Sequence, residues 1–187
     1  MKTTVKLVGM AALVSLLATP QVAFAQEEET SGTGAYVTGT LLDLTHDTST
    51  ETSDWKGDVL EWRDWVTIFQ YEWSDPRMPS EIRAYNNGNE YILQGRSASE
   101  RGGHIRGTAV GHGPDGSWEG PLTGLYPETI DDVRNWMVLT GSGGYEGLYA
   151  VVTARQWYDA DAMEHRHEVE ALIAMGEPPP APEVPAS

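Results

Sequence analysis

Turn signatures punctuate this chain between segments whose residues suit strands, and that punctuation limits the fold more than any other feature. Ser74-Asp75-Pro76-Arg77, Asn86-Asn87-Gly88-Asn89, Gly113-Pro114-Asp115-Gly116 and Gly141-Ser142-Gly143-Gly144 combine residues that accept positive φ with residues that preset a turn. The segments between them are rich in β-branched and aromatic residues. Tyr36 to Leu42 is one such segment, and His46 to Asp54 reads as a polar loop after it. From Leu60 to Trp73 the odd positions Arg63, Trp65, Thr67, Phe69, Tyr71 and Trp73 form the more apolar set, as expected when one face of a strand is buried. Glu81 to Tyr85, Glu90 to Gln94, Gly103 to His112, Ser117 to Leu125, Trp136 to Thr140 and Tyr145 to Trp157 bring the count to seven or eight strands in hairpin succession. An antiparallel sheet of that length closes into a barrel or folds into a sandwich, because closure removes exposed edges.

Near the C terminus the pattern changes. Ala162, His165, Val169, Leu172 and Ile173 fall on one helical face, with Asp159 or Asp161 as a cap and Gly176 as a stop. This predicts one helix over 160–175, laid against the outside of the sheet. Pro178, Pro179, Pro180, Pro182 and Pro185 then predict a disordered or polyproline-like tail over 176–187.

The first residues carry Lys2 and Lys6, an apolar run from Leu7 to Ala18, and Ala23-Phe24-Ala25. That order is the charged region, apolar region and cleavage site of a secretory signal peptide over 1–25. The apolar run is shorter than the about 20 residues of a spanning helix, so no membrane anchor is expected after cleavage. The mature chain is expected in the periplasm or the extracellular medium, with a flexible lead-in over 26–34 and one folded domain over 35–175. The formal net charge is −16, and loss of a leader with two lysines makes it more negative still. Such a surface repels phosphate backbones and anionic headgroups, which argues against nucleic acid as a partner. The chain has no cysteine. Thiol nucleophiles, thiolate metal sites and disulfide staples are therefore all excluded.

Gly-Ser-Trp-Glu-Gly-Pro-Leu-Thr-Gly at 116–124, the run from Val138 to Tyr149 around Thr140-Gly141-Ser142-Gly143-Gly144-Tyr145-Glu146-Gly147, and the Ser74 to Arg77 turn resemble the allene oxide cyclase and dirigent-like β-barrel family, in particular its short bacterial members. The resemblance implies an antiparallel, calycin-like eight-stranded barrel with an apolar lumen, in which relatives hold a hydrophobic molecule and steer its ring closure or coupling. It also implies self-association into a homo-oligomer. No catalytic residue carries over, because the residues of the early strands do not match and the family's cysteine is missing here.

Candidate site residues come from the aromatic strand and its counterpart. Trp65, Phe69, Tyr71, Trp73 and Tyr149 are expected to face a lumen that takes one small apolar or amphipathic molecule, with Arg63 orienting a carboxylate. The competing reading is that the aromatics fill the barrel themselves. His165 and His167 are two apart, which puts them on different faces of the expected helix, so no metal site is read there. No phosphate loop, calcium loop, H-E-x-x-H or Ser/His/Asp arrangement occurs, and no cofactor is expected. Three readings follow: a lumen that binds a small apolar molecule, a cofactor-free cyclase or isomerase, and a packed scaffold that acts through its surface.

Overall fold

The computed structural model describes residues 34–92, 101–126 and 132–183. The expected signal peptide, all of the lead-in but Gly34, and the last four residues of the tail lie outside them. The chain forms β1 (Ala35–Asp47), β2 (Thr52–Lys56), β3 (Val59–Trp73), β4 (Glu81–Ile92), β5 (Arg101–His112), β6 (Gly116–Tyr126), β7 (Asp132–Gly143), β8 (Leu148–Asp159) and β9 (Glu164–Met175). All pairings are antiparallel, in the order β1-β9-β8-β7-β6-β5-β4-β3-β2, and β1 also pairs with β3. Eight strands thus close a barrel, and β2 is an extra strand that extends the β3 edge beyond the end of β1.

Closure runs through β1. Its first residues pair with β9, Ala35 opposite Ile173 through Gly39 opposite Val169. Its later residues pair with β3, Gly39 opposite Trp73 through Asp47 opposite Val66. Gly39 belongs to both ladders. A Cβ there would sit 2.6 Å from Trp73 Cε3 and 3.0 Å from Val169 Cγ1, so a residue without one is needed where the three strands meet. Past this junction β1 and β9 diverge, and the wall carries a slit between them.

The expected C-terminal helix is replaced by β9, and no helix occurs among the described residues. Val169, Ala171 and Ile173 are buried, while Glu168, Glu170 and Leu172 are exposed. The run fits a period of two as well as a period near 3.6. The sheet decides between them: β8 and β1 would otherwise both be left as free edges. The second difference concerns Asn86 to Asn89, which forms no turn but lies inside β4. Partners on both sides, Trp65 and Trp62 in β3 and Gly107 to His104 in β5, hold it extended. The hairpin at 113–115 lies where the turn chemistry puts it, while the expected turn at 141–144 is displaced to 144–147, with Gly141 to Gly143 ending β7.

One end of the barrel is sealed. Trp118 is fully buried and stacks on Tyr145 with ring centroids 5.1 Å apart. Its Nε1 donates to the Arg77 carbonyl at 2.8 Å, and Trp73 Nε1 donates to the Pro79 carbonyl at 2.9 Å. The turn after β3 therefore folds beneath the barrel, with Met78 and Pro79 buried. Arg77 pairs with both Asp75 oxygens through Nε, at 3.0 and 3.1 Å, and holds the Asp75 carboxyl below its ordinary pKa. Beyond β9, residues 176–183 form neither helix nor strand, and Thr123 on the outer face of β6 donates to the Pro182 carbonyl at 3.3 Å.

Trp118→Ala removes the centre of this plug together with a satisfied indole N–H. Burial without collapse of the surrounding wall sets the cost at about 3–5 kcal/mol. Urea unfolding of the variant against the wild type measures it, and a loss below about 1 kcal/mol would show that the plug is not a determinant of stability.

Candidate functional site

The other end of the barrel is not filled. A cavity of about 270 Å³ lies inside the lumen, lined by Leu44, Phe69, Ile105, Leu122 and Val133 together with polar side chains. A second space of about 280 Å³ forms the mouth, lined among others by Trp62, Trp65, Glu51, Glu90 and His104. His46, Trp65, Glu90, Ile105 and Tyr126 line both, so the two spaces adjoin. A larger concavity of about 450 Å³ lies across the outer side of β7, β8 and β9, with Arg134, Trp136, Thr153 and Arg155 in its lining. Its charged groups are already engaged: Arg155 Nε pairs with Asp132 at 3.1 Å and its guanidinium lies 4.9 Å from the Trp157 ring. The lumen is the better enclosed of the two and brings together the more varied chemistry.

A slip in β3 builds the mouth. Trp65 pairs with Asn86 and Trp62 with Gly88, so two residues on β3, Arg63 and Asp64, oppose one on β4, Asn87. Asp64 is the bulged residue, with φ at 61°. Thr50 Oγ1 donates to its carbonyl at 2.6 Å, and its N–H donates to Asn87 Oδ1 at 3.2 Å. The slip turns Trp62 and Leu60 inward and moves Arg63 to the rim. Trp62 and Trp65 then meet edge to face, with centroids 6.4 Å apart. Gly88 faces Trp65, and a Cβ there would lie 2.8 Å from Trp65 Cη2.

Below the mouth a short polar chain crosses the wall from β4 to β1. Asn86 Nδ2 donates to Thr67 Oγ1 at 3.0 Å, and Thr67 Oγ1 lies 3.2 Å from His46 Nδ1. The amide donates to the hydroxyl, and a neutral His46 ring with Nδ1 unprotonated can accept the hydroxyl's own proton. Burial of one side of the ring lowers the His46 pKa from its ordinary 6.5, and Glu51 works against that shift. The neutral ring and the hydrogen-bond chain are therefore consistent. Asn86 is 3 % exposed and Thr67 is 5 % exposed. The Asn86 Oδ1 acceptor and the Trp62 Nε1 donor are buried without a hydrogen-bond partner. Burial, together with the nearby Glu90, pushes the Tyr126 hydroxyl pKa up, so it stays protonated. Burial, Arg106 and Arg63 lower that of His104.

The expected site residues are spread along the molecule. Trp65 and Phe69 line the lumen cavity. Tyr71 lies deeper, fully buried beside the slit between β1 and β9, with its hydroxyl pKa raised by burial. Trp73 belongs to the sealed end. Tyr149 takes the outer set of β8, because Ala150 and Val152 take the inner one. Arg63 does not reach into the lumen. Its guanidinium donates to the Trp62 and Gly88 carbonyls at 2.7 and 3.0 Å and pairs with Glu61 at 3.1 Å. His165 and His167 share one face after all, because two residues apart on a strand means the same side. Among the described residues, however, no group of three His, Asp or Glu side chains is placed to hold a metal ion.

His46, Thr67, Asn86, Glu90 and Tyr126 were not expected as a group. Asn86, Gly88 and Glu90 follow Ile82 and Ala84 at a period of two, which is the pattern that marks them as inward. No family model, curated protein or solved structure matches the chain.

The lowered histidine pKa values bear on stability. The unfolded chain binds a proton on His46, His104 and His167 more readily than the fold does. Their contribution to stability is complete above the unfolded value near 6.5 and declines as pH falls through 6.5 toward the folded values. Denaturant midpoints should therefore drop between pH 7.5 and 5.5, and His46→Gln should flatten that drop. A midpoint independent of pH over this range would contradict the assignment of a neutral His46.

Proposed function

We propose that this protein binds one small apolar or amphipathic molecule in the barrel lumen, with the ligand entering at the Trp62–Trp65 mouth. The observation that carries the reading is the underfilled lumen. One end is packed solid by Trp118, Tyr145, Met78 and Pro79, while the other holds a cavity with Leu44, Phe69, Ile105 and Leu122 on its walls and a comparable number of polar side chains. Apolar contacts supply affinity and the polar groups supply orientation. The leader-like N terminus supports a role outside the cytoplasm, and the resemblance to the allene oxide cyclase and dirigent-like barrels supports a hydrophobic ligand.

A second reading is a cofactor-free cyclase or isomerase. It is favoured by Glu90 and His46, which place a carboxyl and an imidazole beside the apolar walls of a mixed cavity, where a proton donor or acceptor could act on a substrate folded into a reactive shape. A surface-acting scaffold has less support. Trp55 is exposed on β2, but the interior near the mouth is not solid.

Leu44 lines the cavity from β1, beyond the point where β1 leaves β9, so the wall there can yield to a larger side chain. The wild type should bind an apolar fluorescent probe with enhanced emission and quenching of tryptophan fluorescence, and Leu44→Trp should weaken that binding at least tenfold while its unfolding midpoint stays close to the wild type. Native mass spectrometry of protein from its own host should show a mass excess released by solvent. A bare chain mass together with no probe binding would sink both lumen readings and leave the surface scaffold.

A further inference from the structure

Beyond β9 the chain returns across the outside of the barrel. We propose that the outer face of β6, β7 and β8 is a docking surface for an extended, polyproline-type segment, and that the proline-rich tail of this same chain is the ligand it holds. The inference is independent of the lumen reading, because the side chains concerned point away from the lumen. Two anchors fix the course of the tail. At its start the Gly176 N–H donates to the Gly147 carbonyl at 3.0 Å, in the turn that leads into β8. Gly176 has φ at 114°, a conformation that suits glycine and turns the chain out of the β9 ladder. Near the other end Thr123 Oγ1 donates to the Pro182 carbonyl at 3.3 Å. The register places the path between them. Leu148 is opposite Met175, Thr153 opposite Trp136 and Trp136 opposite Thr123. The anchors therefore stand two strands apart and about five residues along them, a diagonal of about 20 Å at ordinary sheet spacings. A polyproline helix covers about 19 Å from Gly176 to Pro182. The tail is thus drawn out along the diagonal, which leaves β8 beside Tyr149 and crosses β7 at Val138, the residue opposite Val151.

Burial agrees with that path. Val138 is 5 % exposed, although Met137 and Leu139 on either side of it take the inner positions. It points outward and is covered from outside. Thr123, also outward, is buried as well. Within the tail Pro178 and Ala181 are half-buried, whereas Glu177, Pro179, Pro180, Pro182 and Glu183 are exposed. Every third residue meets the wall, and three residues per turn is the period of a polyproline helix. A strand would bury every second residue. The chemistry fits the same occupant. Prolines at 178, 179, 180 and 182 preset their own φ and bias the residues before them toward the same conformation, so little freedom is lost on docking. Proline brings a carbonyl acceptor and no N–H, which makes the Thr123 hydroxyl a suitable polar partner. Val138, Val151 and the half-buried Tyr149 supply an apolar floor with an aromatic ring in it, the kind of surface on which polyproline segments dock.

The test uses the full chain carrying Glu183→Cys, the only thiol in a chain without cysteine, labelled with a dye that contact with tryptophan quenches. Trp136, opposite Thr123 on the outer face, is the quencher within reach. The dye should be quenched in the folded chain, and Trp136→Phe should restore its emission several-fold. Ala181→Glu, at a position that meets the wall, should do the same by releasing the tail. Pro180→Glu, at an exposed position of the same tail, should leave the emission near its starting value. Both of these changes lie outside the barrel strands, so neither depends on a wall variant that folds. A free peptide of residues 177–187 should release the tethered tail at millimolar concentration, the effective concentration of a short tether, and the same peptide with alanine in place of its prolines should not. An unquenched dye in the folded chain, equal effects of Ala181→Glu and Pro180→Glu, or failure of the peptide to release the tail overturns the docking surface. Quenching that grows with protein concentration means that the tail sits on a second copy, and overturns the assignment of the chain's own tail. Probe binding in the lumen is read separately and stands or falls by itself.

Discussion

Everything in this barrel depends on how β1 shares its two edges. The strand begins in the β9 ladder and finishes in the β3 ladder, and Gly39 serves both. Without that double pairing the sheet would be open, and long edges rich in unpaired N–H and C=O groups would invite association. With it, eight strands enclose a space whose filling becomes the next question. The same sharing makes the wall incomplete, because β1 cannot follow β9 and β3 together over its whole length.

A closed barrel of this size must be packed by its own inward side chains or hold something else. Here the two outcomes occupy opposite ends. At the sealed end the indoles of Trp73 and Trp118 are tied to backbone carbonyls of the turn beneath them, which fixes both the rings and the turn. At the open end Asn86, Gly88, Thr67 and His46 take inward positions that apolar residues take elsewhere. Replacing packing by partly satisfied polar groups costs stability. Two polar atoms without partners, Asn86 Oδ1 and Trp62 Nε1, mark where that cost is concentrated. The proposed binding site at this end would give that concentration a physical reason.

Several parts of this arrangement were legible in the residue order. The alternation from Trp65 to Trp73 identifies the inward face of β3, the Gly113 to Gly116 signature locates one hairpin, and the Gly141 to Gly144 signature runs into the turn of another. Arg63 was misplaced because nothing in Trp62-Arg63-Asp64-Trp65 announces a bulge. The slip is held by Thr50 and Asn87, which are distant in sequence. His46 and Asn86 were hidden for a related reason. Polar residues flanked by Thr, Asn and Gly carry the composition of loops and turns, and only pairing on both sides turns them into wall.

Residue order alone determined the mainly β class, the strand count to within two, the absence of thiol chemistry and the strong negative charge, because period, turn chemistry and composition are local properties. Tertiary structure alone decided that 164–175 is a strand, that Arg63 belongs to the rim and that one end of the lumen is plugged while the other is open. Each of those outcomes depends on hydrogen-bond partners and packing neighbours that lie far away along the chain. A segment with two acceptable periods takes the one that its neighbours can pair with.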